Sequence, residues 1–223
     1  MKHFTAEIPA YLPNGYFWIK TILAEFMFLE DRFIFSKHGP AHSVSMGNSN
    51  QKLTVPCHFS GGNSIISEVE IVQEEKWQNK HWGNICSNYS HLPYFNYLSP
   101  EIEPLFQQSH KRINELHFSI IQYLKYMWRL PAEIQLATNV FPGHLPEKYV
   151  SQWHEKFNFS EYLIYPFEKK YILPKAYKAS WKFLEININN EEFTKHLSHN
   201  VLFLLFNFGT DFPGLVKKYS TIT

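Results

Sequence analysis

The densest run of titratable and aromatic side chains in the sequence is Trp77 to Tyr97, with His81 near its start. An imidazole titrates near neutral pH, so His81 can take a proton from an attacking hydroxyl as a general base. On a helix Trp77 and His81 share a face, Lys80 and Trp82 flank it, and Tyr89 extends it. Lys80 offers a point charge suited to phosphate or carboxylate. Trp82, Tyr89 and Tyr94 offer flat apolar faces of the kind that line sugar and nucleotide pockets. Each has an ordinary alternative. His81 can be a structural residue hydrogen-bonded beneath two tryptophans, Lys80 part of a solvated helix face, and the aromatics core.

Four more residues join this set. Tyr11 stands between Pro9 and Pro13. Prolines fix φ, so the tyrosine sits on a stiff loop and can stack on a base or a sugar, or else plug the edge of a sheet. Glu30 and Asp31 fall at the end of an expected strand, where a carboxylate can bind ribose hydroxyls or a metal, act as a base, or simply cap a turn. Lys37 is a further cation of the same kind as Lys80. The 12 histidines show no His-x-x-x-His, Cys-x-x-Cys or His-Glu-x-x-His spacing, so no metal is expected. No glycine-rich phosphate loop is present either, and no cofactor is expected. Cys57 and Cys86 read as small buried thiols rather than as a disulfide or a nucleophile.

The elements that must position these residues follow from periodicity and breakers. Phe4 to Ile8 reads as a strand, Asn14 as an N-cap, Gly15 to Ala24 as a helix and Glu25 to Glu30 as a buried strand. That is the length of a βαβ unit, about 30 residues, whose first loop faces the ligand edge of a sheet. Ser43–Met46 and Lys52–Cys57 flank a Gly-Asn-Ser-Asn turn and predict a hairpin. Ile66 to Val72 alternates like a strand. Helices are expected over Lys76–Ser90, Glu103–Arg129, Val150–Phe157 and Glu191–Asn207, with strands at Glu133–Ala137 and Tyr162–Phe167. Lys169 to Asn190 reads as either sheet or loop. The expected fold is α/β, a single domain over residues 1–223, with a mixed sheet built on the N-terminal βαβ unit and helices packed on its faces.

With 44% hydrophobic and 18% charged residues, disorder is excluded as the default. A net charge of +1 argues against a nucleic-acid binder. The amino terminus lacks a long apolar core and no apolar run is long enough to span a bilayer, so a cytoplasmic protein without an integral membrane segment is expected. Self-association into a homo-oligomer is left open.

In order along the chain, Pro9-Ala-Tyr-Leu-Pro with Gly15-Tyr-Phe, Phe28-Leu-Glu-Asp31 with Lys37, Leu53-Thr-Val-Pro56, Trp77 to Trp82 with Tyr89 and Pro93-Tyr-Phe95, and Leu204-Leu-Phe-Asn207 with Gly209 together resemble the WbqC-like family of bacterial proteins. The resemblance implies a role in surface polysaccharide (O-antigen-type) biosynthesis. It implies a transferase, with acyl or glycyl transfer to a nucleotide-linked or lipid-linked sugar as the reaction. His81 would then be the base for a sugar hydroxyl and Glu30 would orient a hydroxyl. Lys80 and Lys37 would bind charge, and Tyr11, Trp82, Tyr89 and Tyr94 would hold the sugar or base. Four departures from the family pattern stand out. Ile8 replaces a leading Gln, Pro40-Ala-His-Ser-Val-Ser45 replaces an Asn/Arg-rich stretch, Phe203 replaces an Asp and Phe208 a Glu. Lost polar positions also fit an alternative, a non-catalytic member that binds a sugar or a partner protein.

Overall fold

The computed structural model describes residues 3–47, 51–58, 62–73, 76–145, 149–159, 161–172 and 182–223. The chain begins in the middle of its sheet. β1 (His3–Glu7) is followed by α1 (Gly15–Leu23) and β2 (Phe26–Leu29), with β2 parallel to β1. This is the βαβ unit expected from the sequence. Asn14 caps α1, its side chain accepting from the Phe17 amide. Phe17, Trp18, Ile19 and Ile22 make α1 buried on nearly every side.

A long excursion then carries two hairpins and three helices before the sheet resumes. β3 (Ser43–Ser45) pairs with β4 (Lys52–Thr54), and β5 (Cys57–His58) with β6 (Glu70–Ile71). The tip of the first hairpin, residues 48–50, lies outside the described residues. Three helices follow, α2 (Trp77–Tyr89), α3 (Phe95–Gln107) and α4 (Ile113–Met127), leading to β7 (Glu133–Leu136). The chain continues through α5 (Tyr149–Phe157), β8 (Glu161–Ile164), α6 (Lys169–Ile172) and β9 (Lys182–Ile188). It ends with α7 (Glu191–His196), α8 (Val201–Phe208), α9 (Phe212–Tyr219) and β10 (Ser220–Ile222).

The main sheet has the order β10-β9-β8-β1-β2-β7, all parallel except β10, which is antiparallel to β9. The chain therefore builds outward from β1 in one direction through β2 and β7, then returns to lay β8, β9 and β10 on the other side. The sheet is of the doubly wound kind, and its topological switch point is the gap between the carboxyl ends of β1 and β8. Alternation along the strands sends Met27, Leu29 and Leu163 into a large core shared with α1 to α4, α8 and α9. Phe4, Ala6, Phe28, Tyr162 and Ile164 point to a smaller core under α5, where Phe28 stacks on Trp153 at 3.6 Å. No helix of the described residues is long and apolar enough to cross a membrane.

Four expectations are corrected. Glu103–Arg129 is not one helix, because the chain is extended at Gln108 and bridges Glu70 through Arg112 before α4 starts. Ile66–Val72 is a 3₁₀ turn, Ile66–Glu68, followed by the two residues of β6, because both Ile66 and Ser67 turn inward. Tyr162–Phe167 is a strand only to Ile164, since Glu168 accepts from the Tyr165 amide and closes a 3₁₀ turn. Glu191–Asn207 is two helices, broken where Asn200 caps α8 by accepting from Leu202 and Phe203. In the ambiguous stretch Lys169–Asn190 the chain forms α6 and β9, and residues 173–181 lie outside the described residues.

Candidate functional site

Because Phe4 and Ala6 face the smaller core, alternation turns Thr5 and Glu7 toward α1. Glu7 is the last residue of β1, at the switch point. Across from it, Lys20 is the one charged residue in α1, and it is 2% exposed. Its ammonium hydrogen-bonds Glu7 and also Glu168, whose two carboxylate oxygens lie 2.7 and 2.6 Å away. Glu168 follows β8 on the other side of the gap and is held by the Tyr165 amide as well. The Tyr165 ring lies 5.4 Å from the ammonium. Strand end, helix and returning strand thus converge on a triad in which two half-buried carboxylates share one buried cation.

The triad forms one end of a cleft of about 520 Å³. Tyr11, Tyr16, Phe167, Ser43 and Ser45 contribute to its walls, and Ile8 and Phe167 stand exposed at it. Phe167 stacks on Tyr165 with centroids 5.2 Å apart and meets the edge of Tyr16. A sugar ring needs an apolar face to lie on and acceptors for its hydroxyls. Phe167 and Tyr16 offer the first, and the carboxylates the second.

Burial works against the Lys20 ammonium, but attraction to Glu7 and Glu168 and the hydrogen bonds to both outweigh it, so its pKa is raised. At Glu7 burial is the largest influence and raises the carboxyl pKa against the pull of Lys20, with repulsion from Glu168 adding to the rise. Lys20 governs, because one ammonium faces two carboxylates and Glu7 keeps 21% of its side chain in contact with solvent.

The residues singled out from the sequence divide among several places. Tyr11 is buried in the cleft wall, and its hydroxyl lies 2.8 Å from His81 Nδ1. His81 is 4% exposed; burial, more than the neighbouring Lys80, lowers its pKa to about 4 against the opposing Thr54 backbone hydrogen bond. An imidazole that donates to the Thr54 carbonyl leaves Nδ1 to accept from Tyr11, which fixes the tautomer. His81 and Lys80 line a second cleft with Lys52 and Lys76. Tyr89 is buried and accepts from Asn200 Nδ2 at 2.8 Å, one layer behind the first cleft. Trp82 packs half-buried against Phe106 of α3. The Tyr94 ring covers Gly209, where an added Cβ would come within 2.9 Å of it. Lys37 is exposed in the segment between β2 and β3 and lines neither cleft.

Glu30 sits on the other face of the sheet. Arg32 grips both of its oxygens at 2.5 and 2.8 Å, and Trp153 Nε1 donates to one of them at 3.3 Å. Burial still raises its pKa against the hold of Arg32. Asp31 accepts from Asn114, from the Thr138 amide and from the Thr138 hydroxyl. These two carboxylates tie loops to the sheet, and Glu30 and His81 share no hydrogen-bond partner. Among the described residues no cluster of three His, Cys, Asp or Glu side chains could hold a metal ion.

Sequence reasoning missed Glu7, Lys20 and Glu168. A signal existed for Lys20, a lone charge in the otherwise uncharged helix Gly15–Leu23, and for Glu7 at the end of the first strand. Glu168 had none, because only the return of β8 beside β1 brings it there.

Compared with known proteins, the chain matches one family model, that of the WbqC-like protein family, over residues 9–211. Neither the curated proteins nor the solved structures give a significant match.

Proposed function

The chain belongs to the WbqC-like protein family, and from that premise we propose that it is a cytoplasmic transferase of surface-polysaccharide assembly whose sugar substrate binds in the switch-point cleft. Family membership suggests a role in polysaccharide-related gene clusters. The observation that carries the finer reading is the Glu7–Lys20–Glu168 triad, built around the buried Lys20, at the carboxyl ends of β1 and β8, where ligands of open α/β sheets bind.

In this reading the sugar ring, carried on a nucleotide or a lipid, lies against Phe167 and Tyr16, and its hydroxyls donate to the carboxylates. Glu7 is the base. It faces the cleft, and burial raises its carboxyl pKa against the pull of Lys20, which makes the carboxylate a stronger proton acceptor. As a sugar oxygen attacks an activated acyl or glycyl carbonyl, its proton passes to a Glu7 oxygen. The new C–O bond forms, and the bond from the acyl carbon to its leaving group breaks with the electron pair going to that group. Lys20 keeps Glu7 oriented, and Glu168 keeps Lys20 in place. His81, neutral above about pH 4, positions Tyr11 rather than serving as the base.

The test starts with thermal unfolding against nucleotide sugars, aminoacyl donors and plain nucleotides. A ligand at about 100 times its dissociation constant adds roughly 2.7 kcal/mol, which in a chain of this size raises the midpoint by about 5–10 °C. A sugar-bearing ligand is expected to give the rise. Glu7→Gln should then keep the binding and lose about 10²–10⁴ in turnover. A fully active Glu7→Gln removes the assignment. A second reading, sugar binding without catalysis, is favoured by one observation: Pro40 and Ser43–Ser45, which stand where the family resemblance leads one to expect arginine, line this same cleft. Binding with no turnover by the wild type would select it.

A further inference from the structure

The β3–β4 hairpin has a different cleft beside each strand. Ser43–Ser45 of β3 line the switch-point cleft, and Lys52–Thr54 of β4 line a second one, of about 500 Å³. The pair Tyr11–His81 joins the two, because Tyr11 lines the first and His81 the second. Their charges are opposed. The first ends in two carboxylates around one ammonium. The second is edged by Lys52, Lys76 and Lys80, over buried Trp77 and His81, and among the described residues no acidic residue lines it.

Lys76 and Lys80 stand four apart, where like charges on a helix repel by a few tenths of a kcal/mol. Among the described residues none of the three lysines makes an ion pair; the ion-paired lysines are Lys20, Lys111, Lys169 and Lys195. α2 also begins in this cleft, with no acidic residue in its first turn and no side chain capping it, so its positive end adds to the field. Three cations held around one concavity, with an indole in its floor, suit a compact multivalent anion.

We propose that the Lys52–Lys76–Lys80 cleft is a binding site for the phosphate or diphosphate group of a phosphorylated ligand. The phosphate oxygens meet the three ammonium groups. The switch-point cleft, with its two carboxylates, repels the same group, so the protein separates the charged part of a ligand from a hydroxyl-bearing part. The proposal does not depend on the transferase reading, since its test reads binding and not turnover.

The test is calorimetric titration of the full chain with inorganic pyrophosphate at low ionic strength. One site is expected, weakening as salt is raised. Lys52→Gln, Lys76→Gln and Lys80→Gln should each weaken binding by roughly tenfold, the share of one hydrogen bond to a charged group. The lysines are exposed, so the variants should unfold at the wild-type temperature. Lys125→Gln, in a different concavity near Tyr126, serves as the control and should bind as the wild type does. The inference is overturned by an absence of stoichiometric binding, by undiminished binding in a Lys76→Gln/Lys80→Gln variant, or by equal weakening in the control. Loss of turnover in Glu7→Gln with pyrophosphate binding intact would leave both proposals standing, and failure of either one is read in its own assay.

Discussion

Replacing Lys20 with methionine keeps the length of the side chain and removes the ammonium, which leaves Glu7 and Glu168 facing each other. Removing one partner of a buried ion pair costs about 3–5 kcal/mol, because the other charge loses its compensation. Lys20 is 2% exposed, but the carboxylates are 21% and 20% exposed, so water reaches them and the cost should fall near the lower end, about 3 kcal/mol. In a chain of this length that lowers the thermal midpoint by about 6–12 °C at pH 7. The pH dependence is the sharper signature. In the wild type the raised Lys20 pKa keeps its contribution in place below about pH 10.5, so none of it is lost between pH 5 and pH 7. In Lys20→Met the carboxyl pKa of Glu7, already raised by burial, rises further. A carboxyl whose folded pKa is raised stabilises the protein when protonated and loses that contribution as pH rises. The deficit of the variant should therefore shrink as pH falls from 7 toward 5. Adding Glu7→Gln to Lys20→Met should recover part of the loss at pH 7, and the double-mutant cycle gives the coupling directly. A Lys20→Met midpoint within about 2 °C of wild type at pH 7, or a deficit that does not change with pH, would refute the claim that Lys20 compensates the two carboxylates.

Two further outcomes follow from buried groups away from that cleft. Arg32→Met strips the bidentate partner from Glu30, with both side chains 1% exposed, and should cost about 4 kcal/mol in urea unfolding, while Arg32→Lys recovers only part because a single ammonium cannot form the fork. His81 and His117 both have their pKa lowered to about 4, chiefly by burial. A lowered folded pKa gives stability that is complete above the unfolded value near 6.5 and is lost as pH falls toward 4, by roughly 3 kcal/mol for each histidine. Their imidazole resonances should stay in the neutral form at pH 5, and a midpoint near 6.5 for either would contradict its burial.

The N-terminal βαβ unit was legible because its signals are local. Asn14 is an N-cap, α1 is a dense apolar run, and β2 is four apolar residues beyond it. The hairpin and α2 were legible for the same reason. The break between α3 and α4 was not, since it depends on Gln73 and Glu70 drawing residues 108–112 into extended pairing. Site residues show the same division. The pairing of Tyr11 with His81 joins two residues that the sequence marked separately, but their partnership spans 70 positions. Glu30 looked like a ligand-edge carboxylate because strand ends often carry one. Arg32, two residues later, turns it into an internal anchor, and only the side-chain geometry reveals that.

The family departures acquire different meanings once they are placed. Phe203 packs among Tyr89, His196 and His199, and Phe208 among Phe193, His196 and Phe212. Neither lines the switch-point cleft, so an acid lost there removes nothing from it. Ile8 and the stretch from Pro40 to Ser45 do contribute to its walls. Where the resemblance leads one to expect a polar residue and an Asn/Arg-rich stretch, Ile8, Ser43 and Ser45 put no charge in the wall, and the Glu7–Lys20–Glu168 end of the cleft is retained. An arginine there would have drawn a phosphate toward two carboxylates that repel it. The lysines near the hairpin lie on its other side, where Lys52 of β4 lines a cleft with Lys76 and Lys80 from the start of α2. Under the proposed function, the departures would change which ligand the cleft selects more than they would remove the groups that do the chemistry.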